Sequence, residues 1–300
     1  MGYPLLAQST PPHIEWAKSF GGSGIDQPTS IQPTSDKGFI IAGSSTSDDM
    51  DIAGHHGTTD FNDYWIIKLD SNGNLQWQKS LGGTYDDLAT SIKQNPDGGY
   101  IVAGHSRSTD GDVAGNRNFT GDNCWIVRLN DNGSILWQTT CGGNGNDVAN
   151  DVEVSADGGF ILAGYTYSDD GDIANHRGTT DSADFFVVKL DSSGNIRWRR
   201  SYGGSGDDIA SSIRQTSDHG YAIAGYSNSV NIDVTGNHGG QDYWIIKIDS
   251  LGGLLWEKSF GGSADDNALS FDLTKDHGYI LTGFTLSSDN DVTINHGQAD

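Results

Sequence analysis

The chain of 300 residues carries 40 Asp and Glu against 17 Lys and Arg, a net charge of −23, with 42 glycines and 6 prolines. Such acidity works against nucleic acid, whose affinity depends on Lys and Arg neutralising phosphate, and against anionic membranes. No apolar run approaches the length of a membrane-spanning helix, and 8 Trp, 11 Tyr and 10 Phe supply enough core to exclude general disorder.

The N-terminal MGYPLLAQSTPP lacks a basic region and has a two-leucine apolar stretch. It therefore reads as no complete signal peptide, although it matches the tail of one. Beyond it, tryptophan recurs at Trp16, Trp77, Trp137, Trp198 and Trp256, and each is followed by a Gly-Gly pair and then an aspartate. The aligned segments are WAKSFGGSGID, WQKSLGGTYDD, WQTTCGGNGND, WRRSYGGSGDD and WEKSFGGSADD. Fixed-period self-similarity of this kind is the mark of a repeat architecture.

Within each repeat a short polar/apolar alternation comes first (strand a), then a turn such as PDGG or SDHG, then an apolar run such as YIVAG (strand b). A polar loop of about twenty residues leads to a second apolar run such as YWIIKLD (strand c), and a turn such as DSNG leads back to Trp on strand d. Runs rich in β-branched and aromatic residues, bounded by Gly, Asp and Asn, read as strands, and no stretch has helical periodicity. Four strands in roughly sixty residues predict an all-β fold of β-propeller blades, a single domain over residues 1–300. A right-handed β-solenoid is the rival, but its turns are usually much shorter.

The expected blades are 21–81, 82–141, 142–202 and 203–260, with a fifth assembled from 3–20 and 266–300. Asp300 stands where Asp63, Asp184 and Asp242 precede their c strands, and Tyr3–Ala7 aligns as a degenerate c strand. Shared closure of that kind would remove exposed edges. A piece of a longer array is the alternative.

The segments WxKSxGG, DGGYIxAG, DVxGNHG and DYWIxKLD resemble the propeller-like repeats of bacterial secreted proteins, especially Bacteroidetes-type surface proteins. The resemblance covers nearly the whole chain and implies export and a secreted or cell-surface location. It implies no activity. A likeness to integrin-type calcium repeats is discounted, because the DxDxDG loop between strands a and b is missing.

Alternating connections put the tight a–b and c–d turns on one face and the b–c and d–a loops on the other, where ligand contacts are expected. One aspartate is common to the five b–c loops, Asp51, Asp112, Asp172, Asp233 and Asp291, and two residues earlier stand Asp49, Asp110, Asp170, Asn231 and Asp289. These oxygens could serve calcium, although two side chains do not fill its six to eight positions; the alternative is local Asx-turn closure. The next shared position reads His56, Arg117, Arg177, His238 and His296. Arginine has no lone pair for a metal, so donation is what the position requires. A structural pair with the d–a loop acids Asp26, Asp87, Asp147, Asp208 and Asp266 is expected, similar to the buried Asp–His pairs of WD40-type propellers.

Departures from the repeat mark recognition. The end of strand b carries Ser44, His105, Tyr165, Tyr226 and Phe284, with Tyr167 nearby. These rings could stack on sugars, or wedge between blades as core. Strand a varies at Gln32, Lys93, Asp151, Glu153, Arg214 and Asp272, positions that approach the central channel. Paired carboxylates there would permit glycoside hydrolysis, the enzymatic alternative. Cys124 and Cys141, too few for a disulfide framework, lie almost opposite across the turn NDNG. A cross-strand disulfide and a buried thiol pair are both open.

The favoured expectation is a non-catalytic, monomeric extracellular propeller that offers its loop face to glycans or surface proteins. It requires no cofactor, with calcium an option, and it neither binds nucleic acid nor inserts in a membrane. A calcium-stiffened spacer is the second reading.

Overall fold

In the computed structural model the described residues are 13–116, 121–173, 176–179 and 181–295. Among these residues, alternating apolar side chains and glycine-bearing turns give eighteen antiparallel strands. The first unit is β1 (Asp26–Pro33), β2 (Phe39–Ser45), β3 (Asp63–Leu69) and β4 (Leu75–Leu81). The second is β5 (Asp87–Gln94), β6 (Tyr100–Ser106), β7 (Asn123–Leu129) and β8 (Ile135–Cys141). The third is β9 (Asp147–Val154), β10 (Phe160–Thr166), β11 (Asp184–Leu190) and β12 (Ile196–Tyr202). The fourth is β13 (Asp208–Gln215), β14 (Tyr221–Ser227), β15 (Asp242–Ile248) and β16 (Leu254–Phe260), and β17 (Asp266–Leu273) with β18 (Tyr279–Thr285) makes a two-stranded sheet.

Each four-stranded sheet is a simple meander in chain order, and neighbouring sheets pack face to face through strands a and b. The chain is thus an all-β array of propeller-like blades. Tyr3–Ala7, the expected third strand beside β18, lies outside the described residues.

Burial follows position in the blade. The c strands β3, β7 and β11 are buried along their whole length because they are covered on both faces and paired on both edges. The d strands, at the outer edge, are half-exposed. Core clusters cross from one blade to the next: Tyr64 of β3 packs on Trp125 of β7 at 4.6 Å between ring centroids, and Phe185 of β11 on Trp244 of β15 at 4.5 Å.

Two further ties join blades. On the turn face each repeating Trp lies edge-on to the first ring of the next strand b, as in Trp77–Tyr100 at 5.9 Å and Trp137–Phe160 at 5.7 Å. Its indole Nε1 donates to the next c–d turn, Trp77 to Asp131 O and Trp137 to Ser192 O. The turn glycine beneath must be bare: at Gly194, with φ 83°, a Cβ would stand 2.6 Å from Trp137. A β-bulge in strand a turns Thr29 and Thr90 toward the next blade, where they donate to Ala89 O at 2.7 Å and Ala149 O at 2.6 Å.

The c strands also carry a buried cation. Lys68 Nζ, Lys189 Nζ and Lys247 Nζ each donate to the carbonyl of the following residue and pair with an a–b turn aspartate, Asp36, Asp157 and Asp218. Arg128 does the same with Asp97. These hydrogen bonds satisfy charges that burial alone would penalise. The Lys68 contact holds the Asp36 carboxyl down at about 2.

Candidate functional site

The b–c and d–a loops share one face, and their acids are engaged there in three distinct sets of contacts. The d–a loop acids Asp87, Asp147, Asp208 and Asp266 are buried, and Asp26 is half-buried. Asp26 accepts from Gly22 N at 2.7 Å and from the hydroxyls of Ser45 and Ser47 at 2.6 and 3.0 Å. Asp87 accepts from Gly83 N and Ser108 Oγ, Asp208 from Gly204 N and Ser229 Oγ, and Asp147 and Asp266 likewise from Gly143 and Gly262. They tie the Gly-Gly turn to the end of strand b. Among the described residues no histidine or arginine pairs with these acids, so the expected partner of the basic position is corrected.

That partner is the aspartate opening strand c. His56 Nδ1 lies 3.0 Å from Asp63 Oδ2 and its Nε2 3.5 Å from Asp112 Oδ2 in the next blade. His238 repeats the arrangement with Asp242 at 2.8 Å and Asp291 at 3.9 Å. Arg177 N donates to Asp184 while its Nε reaches Asp233 at 3.0 Å. The basic residue therefore spans two blades, and the acids it reaches, Asp112, Asp233 and Asp291, belong to the set considered for calcium. Arg117 and His296 lie outside the described residues.

The other acids of that set are also occupied. Asp49, Asp110, Asp170 and Asp289 accept from the backbone N–H of Ser23, Thr84, Asn144 and Ser263 at 2.7–2.8 Å, and Asn231 accepts from Ser205 N at 2.9 Å. Asp51 accepts from Gly21 N at 3.2 Å, and Asp172 lies 3.7 Å from Arg199. No cluster of three or more His, Cys, Asp or Glu suited to a metal occurs among the described residues.

Asp63, Asp184 and Asp242 are the residues that sequence reasoning used only as alignment marks. Each is buried, with an Oδ1 that has no hydrogen-bond partner, and each shares a Gly-Gly turn with the next d–a acid. Burial, with Asp208 adding repulsion, pushes Asp184 up to about 8. Burial raises Asp87 to about 7, with Asp63 contributing, and Asp147 and Asp208 to about 6. The signal was available in the repeat. The one described copy without an acid is Asn123, whose Nδ2 donates to Asn116 Oδ1 at 2.7 Å; Asn116 stands at the position of His55, His176 and Asn237.

The variable rings gather on the same face. Tyr165, Tyr167 and Tyr226 are half-buried, with Tyr165 and Tyr167 at 5.9 Å and 86°. Burial pushes the Tyr165 phenol up to about 12, with Asp122, Tyr167 and Tyr226 adding to it. Tyr167 and Tyr226 are raised by burial and by Asp207, so all three are neutral donors at ordinary pH. His105 and Phe284 are half-buried at the equivalent position of other blades, His105 close to Asp122, Arg107 and Asp86.

On strand a of the third blade, Asp151 is saturated: it accepts from Ser91 and Ser212 hydroxyls, Ile213 N and Arg214 Nη1, the last at 2.7 Å. Lys93 Nζ stands 3.9 Å away, and Arg214 Nε is 3.7 Å from Asp272. Burial raises the Glu153 carboxyl, opposed by Lys93 and Arg214. The strand-a acids thus form an inter-blade ion network rather than an open pair of carboxylates.

No family model matches the chain. An uncharacterised WD repeat-containing protein of Acanthamoeba polyphaga mimivirus is 22% identical over 227 residues, which is 64% of this chain and 16% of that protein. Among solved structures, hydrazine synthase of Kuenenia stuttgartiensis superposes with a TM-score of 0.49 at 12% identity, covering 86% of this chain and 56% of that one. The chain is therefore similar to a WD-repeat protein, within a small part of that relative's length.

Proposed function

We propose that the protein is a non-catalytic propeller-like scaffold whose loop face binds a glycan or a glycan-bearing surface protein. The carrying observation is the tyrosine cluster Tyr165, Tyr167 and Tyr226, which spans two blades on a face otherwise built from repeated ties. Aromatic faces suit the C–H surfaces of sugars, neutral phenols donate to their oxygens, and Asp122 and Asp207 nearby accept from hydroxyls. The rest of the face is braced against itself, so the cluster sits on a rigid support. A secreted or cell-surface location rests on the resemblance of the repeats, and the reading needs no cofactor.

A glycan array, followed by pull-down with the hits, tests this. The double variant Tyr165→Ala, Tyr226→Ala should weaken capture by roughly tenfold or more, as loss of one or two stacking contacts does. Capture unchanged in a folded double variant would sink the reading.

A further inference from the structure

The only two cysteines of the chain, Cys124 on β7 and Cys141 on β8, are direct cross-strand partners. At the same place the first blade pairs Tyr64 with Leu81, the third Phe185 with Tyr202 and the fourth Tyr243 with Phe260. One blade alone has exchanged two large side chains for two thiols, and both are buried, at 0% and 1% exposure. Directly opposed residues of an antiparallel pair have Cα atoms about 4.5–5.5 Å apart, within the range that a disulfide spans. The exchange is not explained by packing, because it gives up ring volume. A cavity of about 460 Å³ opens beside Cys141, lined also by Asn116, Asn123, Gln138 and Asp170.

We propose that Cys124 and Cys141 are an oxidation site, closed by a disulfide donor into a cross-strand disulfide within the second blade. The thiolate of Cys141, a residue that borders the cavity, attacks one sulfur of the oxidant disulfide and releases the other as a thiol. The thiolate of Cys124 then displaces the second thiol from the mixed disulfide. Two thiols of the protein lose two electrons and two protons, and the oxidant is reduced to two thiols. Burial holds the Cys124 thiol well above its ordinary range, with Cys141 adding to it, so closure is slow in the folded blade and fast during folding, when the thiols are exposed.

The full chain, refolded with a mixture of reduced and oxidised glutathione, tests this. Expected are no thiols titratable under denaturing conditions, an intact mass lower by two hydrogens, and a proteolytic fragment containing both cysteines joined. A phosphine reductant should then lower Tm by roughly 5–10 °C. The same reductant should leave Tm unchanged in the Cys124→Ala, Cys141→Ala variant. Two thiols persisting after refolding, a glutathione adduct, or an intermolecular dimer would each overturn the proposal, and none of these readouts depends on a variant folding.

Discussion

His56 stands between two aspartates of different blades, 3.0 Å from Asp63 and 3.5 Å from Asp112. In the third blade Arg177 spans the same gap, to Asp184 through its backbone and Asp233 through its side chain. What the gap requires is a donor of sufficient length. His56→Arg should therefore keep stability near that of the parent in a thermal or urea melt. His56→Ala should lower it by about 1–3 kcal/mol, because Asp63 is left buried with a lost partner. Equal melts for the two variants would show that the contact does not couple the blades.

Asn231 occupies the position of Asp110 and makes the same contact, an oxygen accepting a loop N–H. The contact needs an oxygen and not a charge. Asp110→Asn should be almost neutral, and Asp110→Ala should cost about 0.5–1.5 kcal/mol for an exposed hydrogen bond. Melts with millimolar calcium or with chelator decide the other role: a calcium-dependent rise in Tm that Asp110→Asn abolishes would assign a metal to these loops.

The raised carboxyls make stability fall with pH. Asp184 titrates near 8, Asp87 near 7 and Asp147 and Asp208 near 6, against a value near 4 when unfolded. Between those limits the native state holds more protons than the unfolded state, so this stabilisation is complete below about pH 4 and is lost as pH rises through 6 to 8. Asp36, held down at about 2, acts oppositely but only below about pH 4. Tm should therefore be higher at pH 5 than at pH 8. Asp184→Asn, the residue that the second blade already carries as Asn123, should flatten the slope. A Tm that rises from pH 5 to pH 8 would contradict the assignment.

Gly82 lies between two buried acids: a Cβ there would stand 2.5 Å from Asp63 Oδ1 and 2.5 Å from Asp87 Oδ2. Neither can retreat, since both side chains are fixed by hydrogen bonds. Gly82→Ala should destabilise by about 2–3 kcal/mol, the cost of forcing an extra methyl into a packed site. Gly54, where a Cβ meets nothing within 4 Å, provides the contrast. Its φ of 86° limits the penalty of Gly54→Ala to backbone strain.

The repeat by itself determined the blade. Period, turn chemistry and the alternation of apolar residues are local signals, and they placed β2, β3, β6 and β7 within the segments from which they were read. The pairing of the cysteines was legible for the same reason, because a short turn fixes the register of a hairpin. The partner of His56 was not. Five aligned acids from the d–a loop and five from the b–c loop were equally available as acceptors, and a sequence gives no distance between blades. Only the packing of one sheet on the next decided it, by burying Asp87 under the Gly-Gly turn and bringing Asp112 across to the imidazole. The c-strand lysines escaped notice for a related reason. A charge inside an apolar run reads as an interruption, until the chain folds back and sets Asp36 beside Lys68 at the mouth of the same blade.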